Sequence, residues 1–523
     1  MIEFQNEFTW GKAVSTSSIQ EFHEKFEKSL DDAKKELGKK YPIIVNGKEI
    51  YSDENFTVNS PANTQIKIAE FPKSSISDTN NAISSAKNAF EEWSGMPFQK
   101  RIKSFRDCAD YFSSKKFFLA SIMTFENGKN RIEAMGDVDE AIDFMRFYAY
   151  QMEKNDGFCK QTYHPSPNEK TQVIMKPYGV WGIISPFNFP SAIAIGMSTG
   201  ALITGNTVVL KPASDTPLSS FYFAKYLFSK IPVGAINFVT GSGSIVGKTL
   251  IESQSVDGIA FTGSREVGLR GFQEFTKTTT KPFISEMGGK NPTIVTKNAD
   301  LEKAVNGVMN AAFGYGGQKC SACSRVYVQN EIADKFIEKL VEKTKEIKIG
   351  MPWEKDVFLG PIINSDAKSK FEDASKIAKT DGHILTGGSL IKTDLFENGY
   401  FVQPTIVEKL PEGHKLMKEE LFLPFLCVQR YENFDDAIKL ANKSEYGLTA
   451  GIFSEDKNQL EEFFSKIHSG VVYANRSASA TTAALVSSQP FVGWKNSGTT
   501  GKGAGGENYL QQFLRTQTQT HCD

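Results

Sequence analysis

The chain has 523 residues, and its 60 Lys and Arg nearly balance 61 Asp and Glu. That length calls for two or three domains at about 100–200 residues each, and the charge balance excludes a nucleic-acid binder working through a basic field. Six cysteines (108, 159, 320, 323, 427 and 522) are too scattered for a small secreted disulfide framework, and M-I-E-F-Q-N-E-F-T-W lacks a basic-then-apolar leader, so a cytoplasmic chain is expected.

In chain order, the charged stretch 17–40 predicts a helix that forms a surface appendage with a solvated face. Helical patterns follow at 78–94, 98–115 and 129–154, then a hairpin at 160–177. No charge occurs from Tyr178 to Leu210, yet Pro186, Asn188, Pro190 and several glycines break any membrane helix there. The stretch reads instead as strand, turn and core helix. Strands at 179–184, 206–210, 235–239, 258–262 and 292–296 alternate with helices at 190–203, 217–230, 244–253 and 265–276. This alternation predicts parallel βαβ units in a doubly wound α/β sheet, which binds ligands beyond the carboxyl ends of its strands. A second βα series begins with a helix at 300–312 and continues through 325–475, and 505–517 reads as a terminal strand or short helix.

The chemistry-bearing residues stand at those strand ends. Asn188 lies in S-P-F-N-F-P, rigidified by two prolines, and Lys211 ends a strand in L-K-P-A-S-D-T-P. T-G-S-G-S-I-V-G-K-T misses the Walker A spacing because position 242 is Ser, and its glycines are one residue too long for the dinucleotide fingerprint. In F-T-G-S-R-E-V-G, Ser264 can cap a helix whose free N–H groups suit a pyrophosphate, although an isolated T-G-S is more often an ordinary capped turn. F-I-S-E-M-G-G-K-N-P offers Glu286 as a water-activating base, and G-Y-G-G-Q-K-C-S-A-C-S-R offers Cys320 as a thiol nucleophile. A nucleophilic Cys needs a lowered pKa, which Lys319 and nearby peptide N–H groups could supply. Taken alone, Cys320 is more often a buried structural thiol. Cys320 and Cys323 form a C-x-x-C without a second ligand pair, so no metal is expected, though a reversible disulfide between them stays open. A papain-like hydrolase is the non-redox rival, but all six histidines lie outside these motifs.

With K-E-E-L-F-L-P at 418–424 and Q-P-F-V-G-W-K-N-S-G at 489–498, seven segments run in an order that resembles the NAD(P)-dependent aldehyde dehydrogenase superfamily. The resemblance implies an aldehyde-dehydrogenase-like fold of two doubly wound parallel-sheet domains with a small β flap used for oligomerisation. It implies a dinucleotide-binding domain from 1–158 and 180–288 that includes the N-terminal helical appendage, a catalytic domain from 289–487, and a flap from 159–179 and 488–523. It further implies that Cys320 attacks the aldehyde, that Asn188 and the Cys320 N–H hold the oxyanion, and that Glu286 activates the hydrolytic water. The cofactor, NAD or NADP, would contact Ile184, Ser185, Phe187, Lys211, Ser214, Gly243, Gly247, Gly263, Ser264, Glu420 and Phe422. Many NAD-specific members have Glu where Ser214 stands, so NADP should be tolerated beside NAD. A homodimer or higher homo-oligomer follows from the flap, with no membrane or nucleic-acid partner.

Q-K-C-S around the nucleophile, the 128–144 segment and the C-terminal region further resemble the 1-pyrroline-5-carboxylate dehydrogenase branch, implying oxidation of glutamate γ-semialdehyde to glutamate in proline catabolism. Lys319, Ser321 and the backbone of Ala483 and Ala484 would then meet the substrate carboxylate, Phe491 its methylenes and Glu140 its ammonium group. Ala483 and Ala484 stand where the branch usually has Gly-Ala, which narrows the available backbone conformations. Another acidic semialdehyde, such as 2-oxoglutarate semialdehyde, is the alternative substrate.

Overall fold

The computed structural model describes residues 4–477 and 485–522. The parallel strands of its first large sheet are short, apolar and largely buried, as expected where helices cover a parallel sheet on each side. The order is Phe283–Glu286, Gly258–Thr262, Val180–Ile184, Thr207–Lys211, Ile236–Phe238, Ile43–Val45 and Lys48–Ile50. The first five run parallel, and the last two add an antiparallel edge. Register aligns their carboxyl ends: Ile184 lies opposite Lys211 and Phe261, and Thr262 lies opposite Glu286.

The second large sheet runs His383–Thr386, Thr405–Glu408, Phe425–Tyr431, Cys323–Gln329, Asn291–Val295, Thr449–Phe453 and Val471–Ala474. All its pairings are parallel except the His383–Thr386 edge. The strand expected at 292–296 therefore belongs here, and the edge of the first sheet is Phe283–Glu286 instead. That four-residue strand was missed because it follows Pro282 closely and is too short to show a period.

The charged N-terminal segment also differs from expectation. It forms Thr9–Ser15 and Ile19–Lys34, and the second helix buries Phe22, Phe26, Leu30 and Ala33. Phe22 packs on Phe117 with ring centroids 5.5 Å apart, so this helix is part of the core with a solvated outer face rather than an appendage. Phe117 lies in Phe98–Asn127, a helix that continues past the expected end until Gly128 turns the chain at φ 75°. The uncharged stretch after Tyr178 is strand, turn and the buried helix Ala192–Ile203. Among the described residues no helix is long and apolar enough to cross a membrane. The expected hairpin is present as Cys159–Gln161 and Glu169–Pro177, and Leu514–Cys522 pairs along the full length of the latter, from Leu514 opposite Pro177 to Cys522 opposite Glu169.

Candidate active site

Cys320 does not sit at the carboxyl end of a strand. It precedes Cys323–Gln329, at the amino edge of the second sheet, and faces the carboxyl edge of the first. Asn291 fixes this turn: its Nδ2 donates to the Cys320 carbonyl (2.7 Å) and the Ala322 carbonyl (2.9 Å), while its Oδ1 accepts from the Thr449 N–H (3.0 Å). The glycine pair before Asn291 makes room for the approach. A Cβ on Gly289 would lie 2.6 Å from the Cys320 carbonyl, and one on Gly288 would lie 2.0 Å from the Glu420 carboxylate. Glu420 uses that space to accept the Gly289 N–H at 2.8 Å.

Glu286 ends its strand and is half-buried, with Oε2 lacking any hydrogen-bond partner. Burial pushes its carboxyl well above the ordinary range despite a bond from the Gly493 N–H. Burial pushes the Cys320 thiol up to about 12, with Glu420 and Glu286 adding to the effect and the N–H groups of Ser321 and Cys320 opposing it. The thiol and the two carboxyls thus share one desolvated cleft. The expectation that Lys319 lowers the thiol pKa is corrected here. Lys319 Nζ lies 2.7 Å from Glu133 Oε1, and the charges acting on the thiol are negative. Burial alone would raise Glu133, and the Lys319 ammonium overrides it.

Asn188 is buried, and its side-chain amide makes no hydrogen bond among the described residues, leaving its donors available. Phe187 beside it meets Phe422 edge-on, with centroids 5.8 Å apart, joining loops that lead from the two sheets. Lys211 is buried and lowered to about 8 by desolvation; its Nζ donates to the Pro212 carbonyl at 2.8 Å and has further donors in hand. Gly243 faces open space, and a Cβ on Gly247 would meet only the Lys211 side chain, 3.9 Å away. Both belong to one irregular turn, Gly243–Gly247. Ser264 caps Arg265–Phe275 by accepting the Val267 N–H, and the Gly263 N–H donates to the Glu286 carbonyl at 3.2 Å. Ile184 and Ser185 lie where that sheet edge meets the Asn188 loop, and Ser185 Oγ has no partner. The Ser214 hydroxyl donates to the Gly241 carbonyl at 3.1 Å. Burial pushes Glu420 up to about 7.

Of the expected substrate residues, Ser321 adjoins the thiol, and its carbonyl accepts from Thr449 Oγ1 at 3.1 Å. Phe491 is half-buried and bridged to Ala504. Ala483 and Ala484 lie outside the described residues. Glu140 lies on the same helix as Glu133 and Asp137, and burial and then Asp137 push its carboxyl up to about 8. Cys323 is packed in the core with its thiol 3.5 Å from the Arg325 carbonyl, and both it and Cys320 are free. A disulfide between them requires that core to open. The reading of single motifs missed Glu133, Asp137 and Lys129, although Glu133, Asp137 and Glu140 at helical spacing already put three carboxyls on one face of Arg131–Lys154.

Comparison with known proteins supplies the family. The model of the aldehyde dehydrogenase family matches residues 49–519. The chain belongs to that family. Oxidation of an aldehyde is accordingly its chemistry, and the expected fold class holds. A 1-pyrroline-5-carboxylate dehydrogenase of Geobacillus sp. (strain WCH70) is 37% identical over 500 residues, covering 94% of this chain and 95% of its own. A Thermus 1-pyrroline-5-carboxylate dehydrogenase structure with bound NAD is 30% identical with TM-score 0.92, and each chain is covered in full. Proline utilization A from Bdellovibrio bacteriovorus is 34% identical with TM-score 0.93; the match covers 99% of this chain but only 53% of that longer one.

Proposed function

We propose that this protein oxidises glutamate γ-semialdehyde, the open form of 1-pyrroline-5-carboxylate, to glutamate, as a step of proline catabolism. The observation that carries the reading is that Cys320 and Glu286 are both desolvated and close enough for the Glu286 carboxyl to act on the thiol. The names of the relatives favour this aldehyde over 2-oxoglutarate semialdehyde. A cysteine hydrolase is disfavoured, because His23, His383 and His414 are engaged with Arg131, Glu408 and Asp381 respectively, far from any role beside Cys320.

In this reading Cys320 releases its proton to solvent and, as the thiolate, adds to the aldehyde carbon. The Asn188 amide and the Cys320 N–H stabilise the oxyanion that forms, at about 3–4 kcal/mol per donor. A bound nicotinamide cofactor would supply the hydride acceptor, so that Cys320 is left carrying the acyl group as a thioester. Glu286, once ionised, removes a proton from the water that hydrolyses this thioester. The open backbone at Gly243 and Gly247, the buried Lys211 ammonium and the buried Glu420 carboxyl fit a dinucleotide. Lys211 and Glu420 would hold its ribose hydroxyls, the helix behind Ser264 its pyrophosphate, and Phe187 and Phe422 its nicotinamide end. Ser214 brings no charge against a 2′-phosphate, so NADP serves beside NAD. The substrate carboxylate would be met by Ser321, by the remaining donors of Lys319 and by the backbone at 483–484, and its methylenes by Phe491. We assign 1–158 and 180–288 to cofactor binding, 289–487 to catalysis, and 159–179 with 488–523 to a flap that joins subunits.

The test is a comparison of kcat/KM for pyrroline-5-carboxylate, succinic semialdehyde and 2-oxoglutarate semialdehyde, each with NAD and NADP. The reading predicts the highest value for pyrroline-5-carboxylate and less than about a hundredfold difference between cofactors, since Ser214 places no like charge against a 2′-phosphate, and such a juxtaposition is what costs several kcal/mol. A higher value for either other aldehyde contradicts the substrate assignment.

A further inference from the structure

A fully buried ion pair is unused by this mechanism. Lys129 and Asp137 are both 0% exposed at the side chain and lie 2.8 Å apart. Asp137 spends its other oxygen on the Ala192 N–H (2.6 Å), the first residue of the helix that follows the Asn188 loop. Lys129 Nζ stands 3.5 Å over the ring of Phe189, next in the chain to Asn188, and 5.1 Å from the ring of Tyr315. Tyr315 belongs to the Gly314–Gly317 turn that leads into Cys320, and it holds φ 50°. The residue before Gly128 binds the same two loops: Asn127 Nδ2 donates to the Phe187 carbonyl at 3.5 Å, and the Asn127 carbonyl accepts from Tyr315 Oη at 3.1 Å.

We propose that Lys129, held by Asp137, is a positioning residue that sets the Asn188 loop against the turn bearing Cys320. An ammonium between two ring faces attracts both, because each ring presents its negative face to a cation. One buried cation therefore fixes the distance between two loops from different sheets, and with it the distance from the Asn188 amide to the thiol. The inference rests on the reading of Asn188 as an oxyanion donor and goes beyond it by naming what aims that donor.

Removing one partner would strand a buried charge, so the test replaces both, as Lys129→Met with Asp137→Asn. A second variant, Phe189→Leu, removes the ring face and leaves the ion pair intact. Each is made in the native and the Asn188→Ala background, and the single-turnover rate of NADH formation from pyrroline-5-carboxylate is measured with KM. The expected result is a fall of about a hundredfold for the paired variant and about tenfold for Phe189→Leu, with KM within about threefold, because loss of one oxyanion donor costs about 10²–10³ in rate. In the Asn188→Ala background each should lower the rate by less than about threefold further, since groups acting through one another are not additive. Full multiplication of the losses in that background, or a native rate for both variants, overturns the proposal. An Asn188→Ala protein with native rate overturns instead the oxyanion reading on which it stands.

Discussion

At the residue scale the electrostatics set the order of events. Burial pushes the Cys320 thiol up to about 12, so it is protonated at neutral pH in the free protein, and the same burial raises the neighbouring Glu286 carboxyl well above its ordinary range. The nucleophile is therefore held mostly as the thiol, and reaction draws on the small thiolate fraction that remains after its proton is lost to solvent. Such storage is consistent with a desolvated site, where burial disfavours each charged form. Iodoacetamide alkylation of Cys320 in the free enzyme should consequently be slow at pH 7 and rise about tenfold per pH unit from 7 to 9, following the thiolate fraction. A plateau near pH 8 would show a thiol of ordinary acidity. Cys320, Glu286 and Asn188, the residues proposed to react, were picked out in the sequence because they stand in Gly-rich or Pro-rich segments. Their ionisation was not. Lys319 looked like the activating cation from its adjacency, but its side chain reaches Glu133, a partner 186 positions away.

At the element scale, the helices and strands were readable where period and length were clear, and lost where an element is short or drawn in by partners. Gly258–Thr262 and Arg265–Phe275 show their apolar spacing plainly, whereas Phe283–Glu286 is defined by its neighbour Gly258–Thr262 rather than by itself. The N-terminal segment illustrates the second case. Asn6 Nδ2 and the Glu7 N–H donate to Asp143, the Thr9 N–H donates to Asp139, and Glu7 meets Lys116 at 2.9 Å and Arg146 at 2.5 Å. Burial acts to raise the Glu7 carboxyl, but its bonds to Lys116, Ser113 and Arg146 hold it down at about 2. A carboxyl lowered on folding contributes stability above its unfolded value near 4.5 and loses it as pH falls toward 2. Glu7→Gln should therefore cost about 3 kcal/mol at pH 7. The difference in melting temperature from the native chain should shrink steadily below pH 4.5. An offset independent of pH would mean that the ion pairs contribute little.

At the scale of the whole molecule, the two large sheets meet with unlike edges, the carboxyl edge of one against the amino edge of the other. The rule that ligands gather beyond strand carboxyl ends holds for the first sheet and places Lys211, Ile184, Thr262 and Glu286. It fails for the second, whose contribution, Cys320, precedes its strand, and no sequence pattern says which edge will face the cleft. The third β unit is better marked. Glu169–Pro177 and Leu514–Cys522 pair over nine residues; the second is largely exposed on the described chain and the first mostly half-buried. A small exposed sheet is marginal alone and is stabilised when another chain covers its edge or face. Deleting 514–522 should convert a homodimer or larger species to monomer in sedimentation velocity, while retention of the native assembly would remove the flap from the interface.

The central claim, a thioester on Cys320 resolved by Glu286, is tested most directly by mixing Glu286→Gln with pyrroline-5-carboxylate and NAD and analysing the quenched protein by peptide mass spectrometry. One NADH per active site should form and stop, with a glutamyl adduct on the peptide that contains Cys320. Turnover at the native rate, or a burst of NADH with no adduct on that peptide, would contradict the account.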